Sequence, residues 1–283
     1  MTATIERDHG AGPTTHGPAG TALSSGQPPA RPFRLARHSF ALARRSLIKT
    51  LRTPEQLLDV TLQPVMFVVI FVYLLGGAIQ GSQVGYLTFL LPAIMVQSVM
   101  FASVATGFSL NTDVKKGVFD RFRSLPIARS APLIGSVVGD MVRFVVSIVV
   151  LLGFGYAIGY RIGTDPLHAL AACLIVIFFA ASITWIFVLL GVIVREPGAV
   201  QGTAFLLLFP LTFGTNMMVP TDTLPGWLQA WVHINPVASV MDAARALMNG
   251  GPVGDSVTKS LLWSVGIIVV FAPLAVRSYR RRV

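Results

Sequence analysis

Cysteine is almost absent from this chain: Cys173 stands alone among Ala172, Leu174 and Ile175. A disulfide framework or a cysteine-based metal site within one chain is thereby excluded, and the residue reads as a small apolar packing group. Charge is also scarce, at 12% of residues, against roughly a quarter in ordinary soluble domains. No G-x-x-x-x-G-K-[ST] sequence occurs, so no recognisable loop cradles nucleotide phosphates. No H-E-x-x-H and no aspartate pair within an apolar run marks a protease. The five histidines are scattered, and His9, His16 and His38 precede the first apolar run. Paired broken helices with several buried ionisable groups, found in many ion-coupled transporters, are missing too. Catalytic residues, a metal site and a cofactor held by the chain itself are therefore expected to be none.

What remains is apolar: 53% of the residues are hydrophobic and the mean hydropathy is +0.70. Six apolar runs lie at about 60–80, 87–110, 141–160, 167–194, 200–219 and 257–276. Each holds about 20 residues or more, enough to cross a hydrocarbon core of roughly 30 Å at 1.5 Å per residue. The stretch 133–143, with Asp140 and Arg143, reads as helix approaching the third run from the cytoplasmic interface. Residues 1–32 are rich in Gly, Pro, Ser, Thr and Ala, too poor in large apolar side chains to offset ordering entropy; a disordered cytoplasmic tail is expected. The tail has no apolar stretch before a small-residue cleavage site, so the first span is expected to act as the insertion signal.

The net charge of +10 would point to nucleic acid in a soluble protein. Here its distribution explains it. Of 22 lysines and arginines, 19 fall up to Arg52, in the 111–131 loop, at Arg143, at Arg195 or from Arg277 on; only Arg161, Arg245 and Lys259 lie opposite. Positive charge accumulates on the cytoplasmic side. The pattern predicts an all-α, multi-pass protein of the cell membrane with six transmembrane helices, both termini cytoplasmic and no nucleic-acid partner.

Three segments between or before the spans carry more order than topology needs. In 33–52, Phe33, Phe40, Leu47, Ile48 and Leu51 fall near one helical face, with Arg37, Arg44, Arg45 and Arg52 largely on the other, as in a helix lying in the membrane surface among lipids. Thr53 and Pro54 then read as cap and first residue of the first spanning helix. In NTDVKKGVFDRFRSLP, Val118, Phe119, Phe122 and Leu125 recur at three- and four-residue spacings beside Lys115, Lys116, Arg121 and Arg123, which predicts a structured cytoplasmic docking surface. Beyond span five, Trp227, Leu228, Trp231 and Ile234 form one stripe. After the Asn235–Pro236 break, Val237, Val240, Met241, Ala244 and Leu247 form another. Two short amphipathic helices, an external re-entrant hairpin before span six, fit this pattern, with the tryptophans suited to the interface belt.

Polar groups within the runs are few. Asp140 and Arg143 share a helix face and read as an ion pair. Gln63, Gln97, Ser103, Thr106, Asn111, Ser182, Thr184, Gln201, Thr212 and Asn216 either line a path or bond between helices. Gly153, Gly155 and Gly159 read as close helix packing.

This order of elements resembles the type-2 ABC transporter permeases. From about residue 35 onward, PEQLLDVTLQPVMFVVIFVYLLGGAI, FLLPAIMVQSVMF, NTDVKKGVFDRFRSLPIARSAPLIGSVVGDMVR and LPGWLQAWVHINPV resemble the actinobacterial daunorubicin/doxorubicin-resistance permeases. The type-2 permeases in general often carry Glu four residues ahead of the loop glycine; here Asp113 stands ahead of Gly117, and the drug-resistance branch looks similar in this. The resemblance implies a permease domain over 53–283, preceded by a connecting helix at 33–52 with Arg37, Arg44 and Arg45. It implies a coupling helix after span two with Asp113, Lys115, Lys116, Gly117, Phe119, Asp120, Arg121, Phe122 and Arg123, and an external gate with Trp227, Trp231, Pro236 and Val240. It also implies two copies of a separate ATP-binding subunit carrying ATP and Mg, and a second permease, identical or related. The small-molecule substrate would pass between permeases along the first, second and fifth spans. The implied function is ATP-driven export of a hydrophobic or amphipathic natural product. An ion-coupled drug antiporter using Asp140 and Arg143, an exporter of lipid or polysaccharide, and a non-transporting scaffold are the alternatives.

Overall fold

The computed structural model describes residues 54–117 and 131–282. The tail 1–32, the 33–52 segment with Arg37, Arg44 and Arg45, and the loop residues Phe119, Asp120, Arg121, Phe122 and Arg123 lie outside the described residues. Within them the chain is helical, with no strand. The helices are α1 (Pro54–Gln80), α2 (Gln83–Lys115), α3 (Ala131–Ala157), α4 (Pro166–Ile193), α5 (Pro197–Phe213), α6 (Gly226–Ile234), α7 (Pro236–Asn249) and α8 (Gly254–Arg282), with a 3₁₀ turn at Thr221–Thr223.

Local sequence sets where these helices start and stop. Gly81, at φ +66°, lets the chain reverse after α1; Ser82 then caps α2, its Oγ accepting from the Gly85 amide at 3.0 Å. Helices α4, α5 and α7 each open with proline directly after a polar residue: Asp165–Pro166, Glu196–Pro197 and Asn235–Pro236. Proline suits a first helical position because its missing N–H would lack a helical partner there. At the other end of α2, Gly117 takes φ +66° and its amide reaches Val114 O at 3.1 Å. This left-handed residue breaks the helix.

Five helices contain stretches long and apolar enough to cross a membrane: α1 over Thr61–Ile79, α2, α3 over Leu133–Ala157, α4 and α8 over Gly254–Tyr279. The fifth apolar run yields less helix than expected. α5 has 17 residues, about 26 Å of helix, and Gly214–Val219 is non-helical. The third run yields more, because 131–157 is one uninterrupted helix. Asp140 and Arg143 are buried inside the bundle, each 7% exposed.

α2 is the axis of the bundle. It is buried continuously from Leu90 to Met100, as expected for a helix apolar on all sides. It meets α4 backbone to backbone. A Cβ at Gly107 would lie 2.4 Å from Phe187 O, and one at Gly191 would lie 2.4 Å from Gly107 O. Small residues allow such approach where packing, not solvent exclusion, drives association. Gly155 of α3 sits equally tightly over Leu91. Helix packing, read from the sequence for the 153–159 glycines, thus holds at Gly155; Gly153 has no neighbour within 4 Å, and Gly159 takes φ +107° in the turn after α3.

The Gly107–Gly191 crossing yields a direct prediction. Gly107→Ala should cost about 1–3 kcal/mol through overpacking, whereas Gly153→Ala should be neutral or slightly stabilising. Thermal unfolding of the two variants in detergent checks this; equal midpoints would rule out the crossing as a tight constraint.

Candidate functional site

The two ends of α2 carry different chemistry. At its C-terminal end, Asn111 is buried and its Nδ2 donates to Gly191 O at 2.8 Å and Val194 O at 2.6 Å, closing the end of α4. One turn on, Lys115 Nζ pairs with Glu196 Oε2 at 2.6 Å across an exposed surface. Lys115 is thus the last residue of α2, Asp113 lies within that helix, and Lys116 and Gly117 form its cap. α2 thus ends before the left-handed Gly117, and the rest of the expected coupling helix lies outside the described residues.

Midway along α2 lies a buried polar cluster. Thr106 Oγ1 donates to Asp140 Oδ2, and Arg143 Nη1 donates to Asp140 Oδ1 at 3.4 Å. Ser147 Oγ donates to Ser98 Oγ at 3.2 Å. The other polar residues of the spans divide by role. Ser103, Ser182, Thr184 and Thr212 return their hydroxyls to carbonyls four residues back in their own helices. Asn111, Thr106 and Asn216 bridge elements, and Gln63 and Gln201 are exposed. Gln97 is buried, with neither amide atom paired.

The N-terminal end of α2 meets the hairpin. α7 is a core element: Val237, Val240, Met241, Ala244 and Leu247, its predicted stripe, are all buried. Pro236 is its first helical residue. Val240 packs in the interior. α6 does the reverse. Its Trp227 is 74% and its Ile234 62% exposed, Trp231 is also exposed, and Val232 is the residue that turns inward.

Arg245 holds this end together. Its Nε donates to Phe89 O at 3.0 Å, its Nη2 to Asn216 O at 2.8 Å and Met217 O at 3.1 Å, and its Nη1 to Asp242 Oδ1 at 3.1 Å. The guanidinium also stacks 4.0 Å from the Phe89 ring centroid. Burial pulls its pKa down to about 10 and Asp242 opposes that shift, so the group is charged at neutral pH. Asn216 Nδ2 completes the set with a 2.7 Å bond to Asp242. Nearby, Asn235 caps α7 through Val237 N and donates to Leu211 O and Gly214 O at the end of α5. Tyr86 OH donates to Met218 O, and Tyr160 OH to Asn249 Oδ1, while Asn249 Nδ2 reaches Thr88 O. Beside this network opens a vestibule of about 690 Å³, bordered by Thr88, Phe89, His233, Asp242, Arg245 and Lys259.

Sequence reasoning counted Arg245 only as a stray cation and Asn235 only as a helix break. A readable signal existed: Arg245 falls within the apolar stripe of α7, beside Ala244, Met241 and Leu247, where an unpaired charge is untenable. Gly214 and Thr215 likewise marked a break in the fifth run. Among the described residues, no group of three or more His, Cys, Asp or Glu could hold a metal ion.

Arg245→Met should strand the carbonyls of Phe89, Asn216 and Met217, each costing about 1–3 kcal/mol if buried and unpaired. The expected outcome is a lowered melting midpoint and new protease cleavage within 214–219, with a smaller effect from Asp242→Asn. An unchanged digestion pattern would show that the hairpin is held by other contacts.

Comparison with known proteins places this architecture. The sequence pattern of the ABC-2 type transporter family matches residues 37–249. The chain is 42% identical over 262 residues to the daunorubicin resistance ABC transporter permease protein DrrB1 of Streptomyces coeruleorubidus, covering 93% of this chain and 92% of the relative. It is 29% identical over 203 residues to the doxorubicin resistance ABC transporter permease protein DrrB of Mycobacterium tuberculosis H37Rv, covering 70% of each. It is 26% identical over 213 residues to the putative transport permease ycf38 of Cyanophora paradoxa, covering 74% of this chain and 73% of the relative. With all of α1 to α7 inside the matched region, the chain belongs to the ABC-2 type transporter family.

Proposed function

We propose that the chain is the membrane-spanning subunit of an ATP-driven exporter of a hydrophobic or amphipathic drug or natural product, of the antibiotic self-resistance kind. The observation that carries this reading is the continuity of α2. One 33-residue helix connects the loop carrying Lys116 and Gly117 to the Arg245 network at the far end. Force applied at the loop then has a rigid path to the hairpin. Family membership and the drug-resistance names of relatives support the transported class.

In this reading six helices cross the cell membrane, with α5 as the fifth and both termini cytoplasmic, so that the basic 111–131 loop faces the cytoplasm. Two copies of a separate ATP-binding subunit dock there. Asp113, Lys115, Lys116, Gly117, Phe119, Asp120, Arg121, Phe122 and Arg123 form the coupling set, with Arg37, Arg44 and Arg45 beside them on the connecting helix. Phe119 and Phe122 anchor in the ATPase groove, and the charged residues supply complementarity. ATP and Mg reside on that partner. A second permease, identical or related, covers the apolar faces that α1 exposes at Met66, Ile70 and Leu74 and α5 at Leu206 and Phe209. Substrate passes between the two permeases. The hairpin closes the exit, Trp227 and Trp231 facing outward and Pro236 and Val240 fixing α7 beneath them.

The test is a mild-detergent pull-down of the tagged chain from its host, with ATP hydrolysis assayed on the product. A stoichiometric ATPase is expected with the native chain, and Asp120→Arg combined with Arg121→Glu should abolish its capture while leaving membrane insertion intact. Transport that persists without any ATPase and stops when an imposed proton gradient collapses would overturn the proposal in favour of an ion-coupled antiporter.

A further inference from the structure

A cleft of about 40 Å³ lies between α1, α2 and α3. Exposed Gln63 and half-buried Phe67, Phe101 and Ala105 surround its mouth, while buried Gln97 and Arg143 contribute to its floor. This volume admits one or two waters or a single functional group, not a whole drug-sized molecule. Gln97 is 1% exposed, and its Nε2 and Oε1 have no partner among the described residues; the same holds for Arg143 Nε. An unpaired polar atom in an apolar interior costs stability, and here three lie around one cleft. Such a cluster fits a site that is completed by something else.

We infer that this cleft binds the neutral hydroxyl- or carbonyl-bearing edge of a membrane-dissolved molecule. The charge balance selects a neutral group. Asp140 already compensates Arg143, so an ionised ligand would enter an apolar region without a counter-ion. The free donors are the Gln97 amide and Arg143 Nε–H, which suit a carbonyl oxygen; the free acceptor is Gln97 Oε1, which suits a hydroxyl. Phe67 and Phe101 flank the mouth, so a flat apolar body can rest outside while its polar edge reaches in. Two sources share this chemistry: the transported molecule and the glycerol-ester region of a bilayer lipid. The first source rests on the exporter reading; the site itself does not.

The experiment uses the full chain in phosphatidylcholine nanodiscs, titrated with 1,4-dihydroxyanthraquinone, and with anthracene as the same ring system without oxygen. Saturable binding of the dihydroxy probe at one site per protomer is expected, weakened at least tenfold by Gln97→Leu; anthracene should bind weakly and equally to both proteins. Gln97→Leu should leave the melting midpoint unchanged or raised, because it removes unpaired polar atoms. Ala105→Leu, which narrows the mouth and leaves the floor intact, should weaken the probe similarly and decides the matter if Gln97→Leu does not fold. Native mass spectrometry separates the sources: a phospholipid retained by the native chain and lost from the variants, without saturable probe binding, identifies a lipid occupant. Probe affinity and lipid retention both unchanged in the folded variants would overturn the proposal. Capture of the ATPase is scored on the same preparations, so failure of the exporter reading registers separately from failure of the site.

Discussion

Away from water, every backbone N–H and C=O must find a partner, and this requirement organises the hairpin end of the molecule. Where α5 stops at Phe213, the next six residues leave the helix. Their carbonyls would be stranded in an apolar bundle. Arg245 collects those of Asn216 and Met217, Tyr86 collects that of Met218, and Asn235 collects that of Gly214. Tyr86 belongs to α2, while Arg245 and Asn235 belong to α7 and its cap. Satisfying one irregular segment therefore fixes α2, α5 and α7 relative to one another, and the short fifth helix, the buried α7 and the vestibule all follow from it.

The same physics acts differently midway along α2. Asp140 and Arg143 cannot be left alone in the bundle, and removing either would strand the other. Thr106 draws the pair onto α2, so α2 and α3 are tied by a neutral unit rather than by net charge. The unit is neutral overall, yet Arg143 Nε keeps a spare donor beside the equally unpaired Gln97 amide. That side chain has bonding capacity left over, and in an apolar interior leftover capacity is what marks a place for a ligand or water.

Much of this was legible in the sequence, for a reason particular to membrane proteins. A span announces itself by length and hydropathy, and α1, α2, α3, α4 and α8 each contain such a stretch. The period of α7 was equally plain, since Val237, Val240, Met241, Ala244 and Leu247 are all inside. α6 has its apolar tryptophan stripe turned outward instead, because apolar side chains gain as much from lipid or a partner as from a core. The break at Gly214 was missed because hydropathy reads composition and not hydrogen bonding. The Arg245 network was missed because its partners are mostly main-chain carbonyls, which leave no trace in residue identity. The loop beyond Gly117 and the basic segment before Pro54 were the most suggestive stretches of sequence, and both lie outside the described residues.

The two ends of α2 are tied by different kinds of bond. Its hairpin end is bound through half-buried hydrogen bonds: Arg245 to Phe89 O, Asn249 to Thr88 O and Tyr86 to Met218 O. Its opposite end is bound by Asn111 and by the exposed Lys115–Glu196 pair, and an exposed pair contributes about 1 kcal/mol or less. Between the ends, the Gly107–Gly191 crossing brings the backbones of α2 and α4 into direct contact. A partner that hydrolyses ATP can bias a permease only through contacts that differ between two states. On the exporter reading proposed above, α2 is the element that would join the two regions where such contacts differ, the loop beyond Lys116 and the Arg245 network.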